Sequence, residues 1–228
     1  MTIANPHIVF AVYDGMTHLD FTGPHQFLSR LPGARVTVAS RDGGAVAADG
    51  LTFAGTERLD DIAGCDLICV PGGADATAVA GDPGFIRPLQ RLAAQAAYVT
   101  SVCTGSLILG AAGLLKGKRA GCHWAWRHLL AEFGAIPVAE RVVRDGRCIT
   151  GGGVTAGVDF ALVVIAELAG DEAAQAVQLG LEYDPQPPFD AGTPERAPAD
   201  ILRAVQTRLS ARMPQWEAEA RRAAMMNA

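Results

Sequence analysis

Apolar positions along this chain come in short runs that alternate with longer segments of helical spacing. Residues 7–13 (HIVFAVY) are apolar without interruption and rich in β-branched and aromatic types, which predicts a strand buried on both faces. Phe27, Leu28 and Leu31 predict a helix that ends at Pro32-Gly33. Arg35–Ser40 alternates and reads as a second strand, and short candidate strands follow at 45–47 and Leu51–Phe53. Residues 66–70 (DLICV) predict another buried strand, stopped by Pro71-Gly72-Gly73. Residues 85–97 have helical spacing, 98–102 (YVTSV) form a strand running into Cys103, and 104–115 are apolar and helical. Further on come a short helix at 128–133, a hairpin flanking Asp145-Gly146, and helices at 154–169 and 175–181. A Pro-rich loop at 183–198 precedes an amphipathic helix at 201–212, which Pro214 breaks or kinks. Strand and helix in alternation imply an α/β fold with a largely parallel central sheet. The simplest organisation is one domain, 1–228, with a C-terminal helical extension from about 198 to 228.

Three of these segments end in residues suited to chemistry. At Ser101-Val102-Cys103-Thr104-Gly105 a buried strand meets a helix with one reactive side chain between them. Gly105 permits a tight turn, and the arrangement reads as a nucleophile elbow at the carboxyl edge of the sheet. Peptide N–H groups and the helix dipole there favour a thiolate. A small apolar cysteine packed at a strand end is the plainer reading. Pro71-Gly72-Gly73 also closes a strand at that edge. The N–H groups of Gly73 and Thr104 could form a two-donor hole for developing negative charge, or the glycines could simply turn the chain. Asp20, in Leu19-Asp20-Phe21-Thr22-Gly23-Pro24, reads either as a helix N-cap or as a carboxyl that trades a proton with Cys103 and whose pKa burial would raise.

Other residues suggest less. Cys122-His123 lacks partners at metal-site spacing, so no metal is expected, and His123 reads either as a base approaching Cys103 or, more simply from its strand-end position, as a structural hydrogen-bonding residue. Gly151-Gly152-Gly153 lacks the spacing of a dinucleotide fingerprint and the Lys of a phosphate loop. Trp124 and Trp126 read as core, as do Cys65, Cys69 and Cys148. Tyr183 and the segment to Phe189 could wall a pocket or a subunit contact.

Composition narrows the classes. A net charge of −5 argues against a general nucleic-acid binder. No run of about 18 uncharged apolar residues is present, so no membrane span is expected. The first residues lack the form of a signal peptide, and five cysteines in apolar settings suit reduced thiols in the cytoplasm.

Taken together, Pro71-Gly72-Gly73, the elbow at Cys103, residues 114–118 and His123-Trp124 resemble the ThiJ/PfpI superfamily, related to the class I glutamine amidotransferases. Within it the chain is most similar to the isocyanide (isonitrile) hydratases, through LDFTGPHQFL (Leu19–Leu28), YVTSVCTGSLILGAAGLLKGKRA (98–120), HWAW (123–126), GAIPVAERVVRDG (134–146), TGGGVTAGVDFAL (150–162) and QLGLEYDPQPPFDAG (178–192). The resemblance implies a flavodoxin-like sandwich, a homodimer and hydration of a small-molecule isocyanide to an N-substituted formamide. It implies Cys103 as nucleophile, Asp20 as proton relay, Thr104 as a tuning group, and the N–H groups of Gly73 and Thr104 as donors. That chemistry has no redox step and needs no cofactor. Many relatives carry Glu at the place of Asp20, and protease-like ones carry His at the place of Thr104, which counts against glyoxalase or amidase activity. Regulators of this superfamily add a C-terminal helix-turn-helix domain, for which this chain is expected to be too short. A ligand sensor or a cysteine redox sensor is the non-catalytic alternative.

Overall fold

The computed structural model describes residues 2–226. In chain order the elements are β1 (His7–Val12), α1 (His18–Leu28), β2 (Arg35–Ser40), β3 (Val46–Ala48), β4 (Leu51–Phe53), β5 (Glu57–Arg58), β6 (Leu67–Val70), α2 (Ala76–Ala80) and α3 (Pro83–Gln95). They continue with β7 (Tyr98–Ser101), α4 (Gly105–Ala111), β8 (Arg119–Ala120), β9 (Ile136–Pro137), β10 (Val142–Asp145), β11 (Cys148–Gly151), α5 (Ala156–Ala169), α6 (Asp171–Gly180), α7 (Ala199–Ser210) and α8 (Met213–Met226). Seven strands form one sheet in the order β10-β11-β7-β6-β1-β2-β5, parallel except for the β10–β11 hairpin. The fold is a flavodoxin-like α/β sandwich with a largely parallel sheet.

β6, β7 and β11 are buried along their whole length and β1 along all but His7, because helices cover both faces of the sheet. α1 packs on α5, and α6 on α5, while α2, α3, α4 and α8 form a second group. The strand order reverses direction between β1 and β6. In open parallel sheets the crevice at such a reversal is where sites form. The ends of β1, β6 and β7 all face it.

The predicted elements mostly appear, with shifted bounds. The helix of 104–115 closes at Ala111 and gives way to turns in which Gly113 and Gly117 have positive φ. The hairpin loop is Gly146-Arg147, since Asp145 still pairs with Cys148. Pro214 does not kink the amphipathic helix. α7 ends at Ser210, and Pro214 sits in the first turn of α8, where a missing N–H is tolerated. The C-terminal extension is thus two helices; Met1 and residues 227–228 of the expected domain lie outside the described residues. Trp216 of α8 stacks on Trp126 with ring centroids 4.1 Å apart, which fixes the extension to the segment after His123. Cys65 is half-buried, whereas Cys69 and Cys148 are core. Among the described residues, no helix is long and apolar enough to cross a membrane.

One contact sets how closely α4 approaches the sheet. A Cβ on Gly105 would lie 2.2 Å from the Val70 carbonyl oxygen and 2.8 Å from that of Pro71. Both are backbone atoms and cannot swing aside. Gly105→Ala is therefore expected to lose about 3 kcal/mol of stability by overpacking, read from the urea midpoint. A loss under about 0.5 kcal/mol would show that the elbow has slack.

Candidate active site

Cys103 occupies the strand-to-helix corner with φ +57°, a left-handed conformation unusual for a side chain with a Cβ. Its N–H is shared between the carbonyls of Gly151 (3.1 Å) and Gly152 (2.8 Å), which hold the strained corner in place. The residue is only 5% exposed.

Asp20 is the third residue of α1, whose N-cap is Thr17, so the capping role is not what the structure shows. Pro24 likewise stands inside the helix rather than at its start. The Asp20 side chain is fully buried. Its two oxygens are the buried side-chain oxygens, among the described residues, that no donor meets at hydrogen-bonding geometry. Desolvation raises its pKa to about 7; the facing Cys103 thiol and the Gly72 N–H pull the value down without offsetting burial, and Asp49 adds a small push upward. Burial is thus the main cause of the rise, and the Asp49 charge reinforces it.

Thr104 joins the two loops. Its Oγ1 accepts the Gly73 N–H at 2.9 Å and lies 3.2 Å from the Gly73 carbonyl oxygen, to which the hydroxyl can donate. The Gly73 N–H is therefore engaged by Thr104 Oγ1 and not free to meet developing charge. The Thr104 N–H acts on the Cys103 sulfur. A methyl group on Gly72 would lie 2.5 Å from Thr104 N, 2.7 Å from Thr104 Oγ1 and 2.8 Å from Asp20 Oδ2, so these groups converge on the bare Gly72 Cα. Gly73 is pinned against Met16, whose Cα would be 2.3 Å from an added Cβ, and Thr17 donates to the Gly72 carbonyl at 2.8 Å. These contacts lock the start of α1 to the end of β6 and hold Asp20 in register with the elbow.

The sequence suggested that the elbow favours a thiolate. The surroundings of the sulfur oppose that tendency. Burial, the Asp20 charge and the neighbouring Cys122 push the Cys103 thiol well above its ordinary range, and the Thr104 N–H only partly opposes them.

His123 is engaged within its own loop. Its Nδ1 accepts the Ala125 N–H at 3.3 Å, its ring lies against Gly153, and burial lowers its pKa. Cys122 is buried and held protonated. Among the described residues no three His, Cys, Asp or Glu side chains form a ligand set. Tyr13 escaped the sequence reading because it looked like the last residue of a core strand. Its hydroxyl donates to the Pro71 carbonyl at 3.0 Å, and its phenol pKa is pushed well up by burial and by Asp20 and Cys103.

Comparison with known proteins agrees with this geometry. Residues 6–167 match the model of the DJ-1/PfpI family. The isonitrile hydratase of Pseudomonas putida is 50% identical over 196 residues, which cover 86% of each chain. A ThiJ/PfpI family protein from Pseudomonas syringae superposes with a TM-score of 0.91 at 41% identity, covering 98% of this chain and 91% of that one. Drosophila melanogaster DJ-1beta shares the fold, with a TM-score of 0.70 at 24% identity over 81% of this chain and all of that one.

Proposed function

The chain belongs to the DJ-1/PfpI family, and from that premise we propose that it is a cofactor-independent enzyme that hydrates isocyanides to N-substituted formamides. The observation that carries the reading is the juxtaposition of Cys103 with a buried carboxyl whose pKa is about 7. Such a group accepts a proton and returns it at neutral pH. The 50% identity to a protein named isonitrile hydratase supports the substrate class.

Asp20 takes the thiol proton as Cys103 attacks the terminal carbon of R–N≡C. The same proton is delivered to that carbon, giving the thioimidate R–N=CH–S–Cys103. Asp20 then accepts a proton from water as the oxygen adds to the carbon, and protonates the nitrogen. As the adduct R–NH–CH(OH)–S–Cys103 collapses, its C–S bond breaks and Asp20 passes the hydroxyl proton to the leaving sulfur, which leaves R–NH–CHO and the Cys103 thiol, with one water consumed and no electron transferred. The Thr104 N–H stabilises charge on sulfur when Cys103 leaves. Gly73, held by Thr104 Oγ1, positions the wall of the site.

The surroundings support the rest of the reading. Phe189 and Leu179 are more than 80% exposed, as residues covered by a second copy would be, so a homodimer is part of the proposal. Five unpaired cysteines support a cytoplasmic setting.

The test is ultraviolet detection of N-(p-nitrophenyl)formamide from p-nitrophenyl isocyanide in ¹⁸O-water. One ¹⁸O per formamide is expected, together with a protein species heavier by the mass of the isocyanide after rapid acid quench. Folded, reduced protein that yields no formamide would rule the reading out and turn attention to dicarbonyl substrates or a sensor role.

A further inference from the structure

Cys103 is held from behind by the carbonyls of Gly151 and Gly152, which begin a short link between β11 and α5. One residue, Arg141, grips both ends of that link. Its own carbonyl accepts the Gly152 N–H at 2.8 Å. Its guanidinium turns back to donate to the Thr155 carbonyl at 3.0 Å and pairs through Nε with Asp159 in the first turn of α5. The other Asp159 oxygen accepts the Tyr183 hydroxyl at 2.8 Å. Tyr183 is itself fixed, by an edge-to-face contact with Phe27 of α1 and by paired bonds with Gln178.

Stability alone does not account for this arrangement. Arg141 is about half exposed, and a single ion pair at that exposure contributes little. A planar fork that meets a carbonyl and a carboxylate at once is an orienting device, and lysine cannot reproduce it. The fork fixes the far end of the link, at Thr155 and Asp159, while the Arg141 backbone carbonyl holds the near end at Gly152, whose own carbonyl and that of Gly151 accept the Cys103 N–H and keep a residue with φ +57° in its strained state.

We propose that Arg141, Asp159 and Tyr183 form a strap that positions Cys103 for attack, with Arg141 and Tyr183 as positioning residues that never touch substrate. The proposal rests on the reading of Cys103 as the nucleophile. It explains why Tyr183, outside the family-matched residues 6–167, closes back over α5.

The test combines hydrogen exchange with kinetics on Arg141→Met, Arg141→Lys and Tyr183→Phe. In Arg141→Met the amides of residues 151–155 and of Cys103 are expected to exchange about tenfold faster, with the remaining sheet unchanged. kcat for p-nitrophenyl isocyanide is expected to fall about tenfold, with KM changed less than about twofold, as misplacement of a reacting atom predicts. Arg141→Lys keeps only the ion pair and falls between. Tyr183→Phe, which removes one hydroxyl and keeps the packing, loses about threefold in kcat and serves if Arg141→Met does not fold. Unchanged exchange overturns the strap. Faster exchange with unchanged kcat overturns its role in catalysis, and a raised KM at constant kcat makes Arg141 a substrate-binding residue instead. Should the wild-type protein produce no formamide, the hydratase reading fails while the exchange result still decides whether the strap holds the Cys103 acceptors.

Discussion

Cys103→Ala is expected to abolish isocyanide hydration, with a fall in kcat of at least about 10⁴-fold. The reason is specific to this site. The isocyanide carbon needs a nucleophile that then leaves, and Cys103 is the thiol that acts directly on Asp20 across the elbow. Cys122, also buried nearby, is not expected to replace it, because Asp20 acts on it only at range and makes no hydrogen bond to it. The alanine variant should fold normally, since a small residue fits the site and the backbone bonds to Gly151 and Gly152 do not involve sulfur. Alanine at φ +57° is no worse placed than cysteine, so a change in stability under about 1 kcal/mol is expected. Turnover by the alanine variant within tenfold of wild type would mean that Asp20 activates water directly and that no thioimidate forms. Recovery of the isocyanide-weighted protein in wild type, and its absence in the variant, would close the case for covalency.

The parts of the fold legible in the sequence are those whose signal is local. The runs at residues 7–13 and 66–70 read as buried strands because no charged residue interrupts them after His7 and Asp66. The elbow showed itself because a strand, one cysteine and a glycine two residues on permit few other turns. Elements made only by tertiary contact were not legible. β5, β8 and β9 are two residues each and exist because a neighbour pairs with them. α2 spans five residues, too few to show a period.

The same division runs through the site. Cys103 and Asp20 could be named from sequence, yet the protonation of each could not. Both depend on burial between α1, β6 and α4, elements that the chain brings together from positions 20, 72 and 104. The bond between Thr104 Oγ1 and the Gly73 N–H spans 31 residues, and no spacing rule announces it. It turned an expected donor into part of the scaffold.

Asp20→Asn makes the proton relay testable through three readouts that move in different directions. Turnover should fall by at least about 10³-fold, because the amide neither accepts the thiol proton nor returns it to carbon. The Cys103 thiol should nevertheless become easier to ionise, since the Asp20 charge is among the causes that raise its pKa. A variant with more thiolate and less activity separates proton delivery from nucleophile formation. In the proposed mechanism the productive form of the wild type carries one proton on the Cys103–Asp20 pair. Below about pH 7 a second proton binds Asp20 and blocks transfer, so kcat/KM should rise with pH through about 7. That acid limb should be absent in the variant. Stability supplies the third sign. The folded pKa of Asp20 lies above its ordinary 3.8, so the folded state binds the proton more tightly than the unfolded chain does. Its stabilising contribution is complete below that ordinary value and is lost as pH rises through 7. Relative to wild type, Asp20→Asn should therefore gain stability progressively from pH 4 to pH 7 and hold the gain above it, on the order of 4 kcal/mol at 1.36 kcal/mol per unit. Urea unfolding of both proteins at pH 5 and pH 8 reads the difference. A gap that does not widen between those two values would mean that Asp20 is not buried in its charged form, and the carboxyl could not then be the group that sets the reactivity of Cys103.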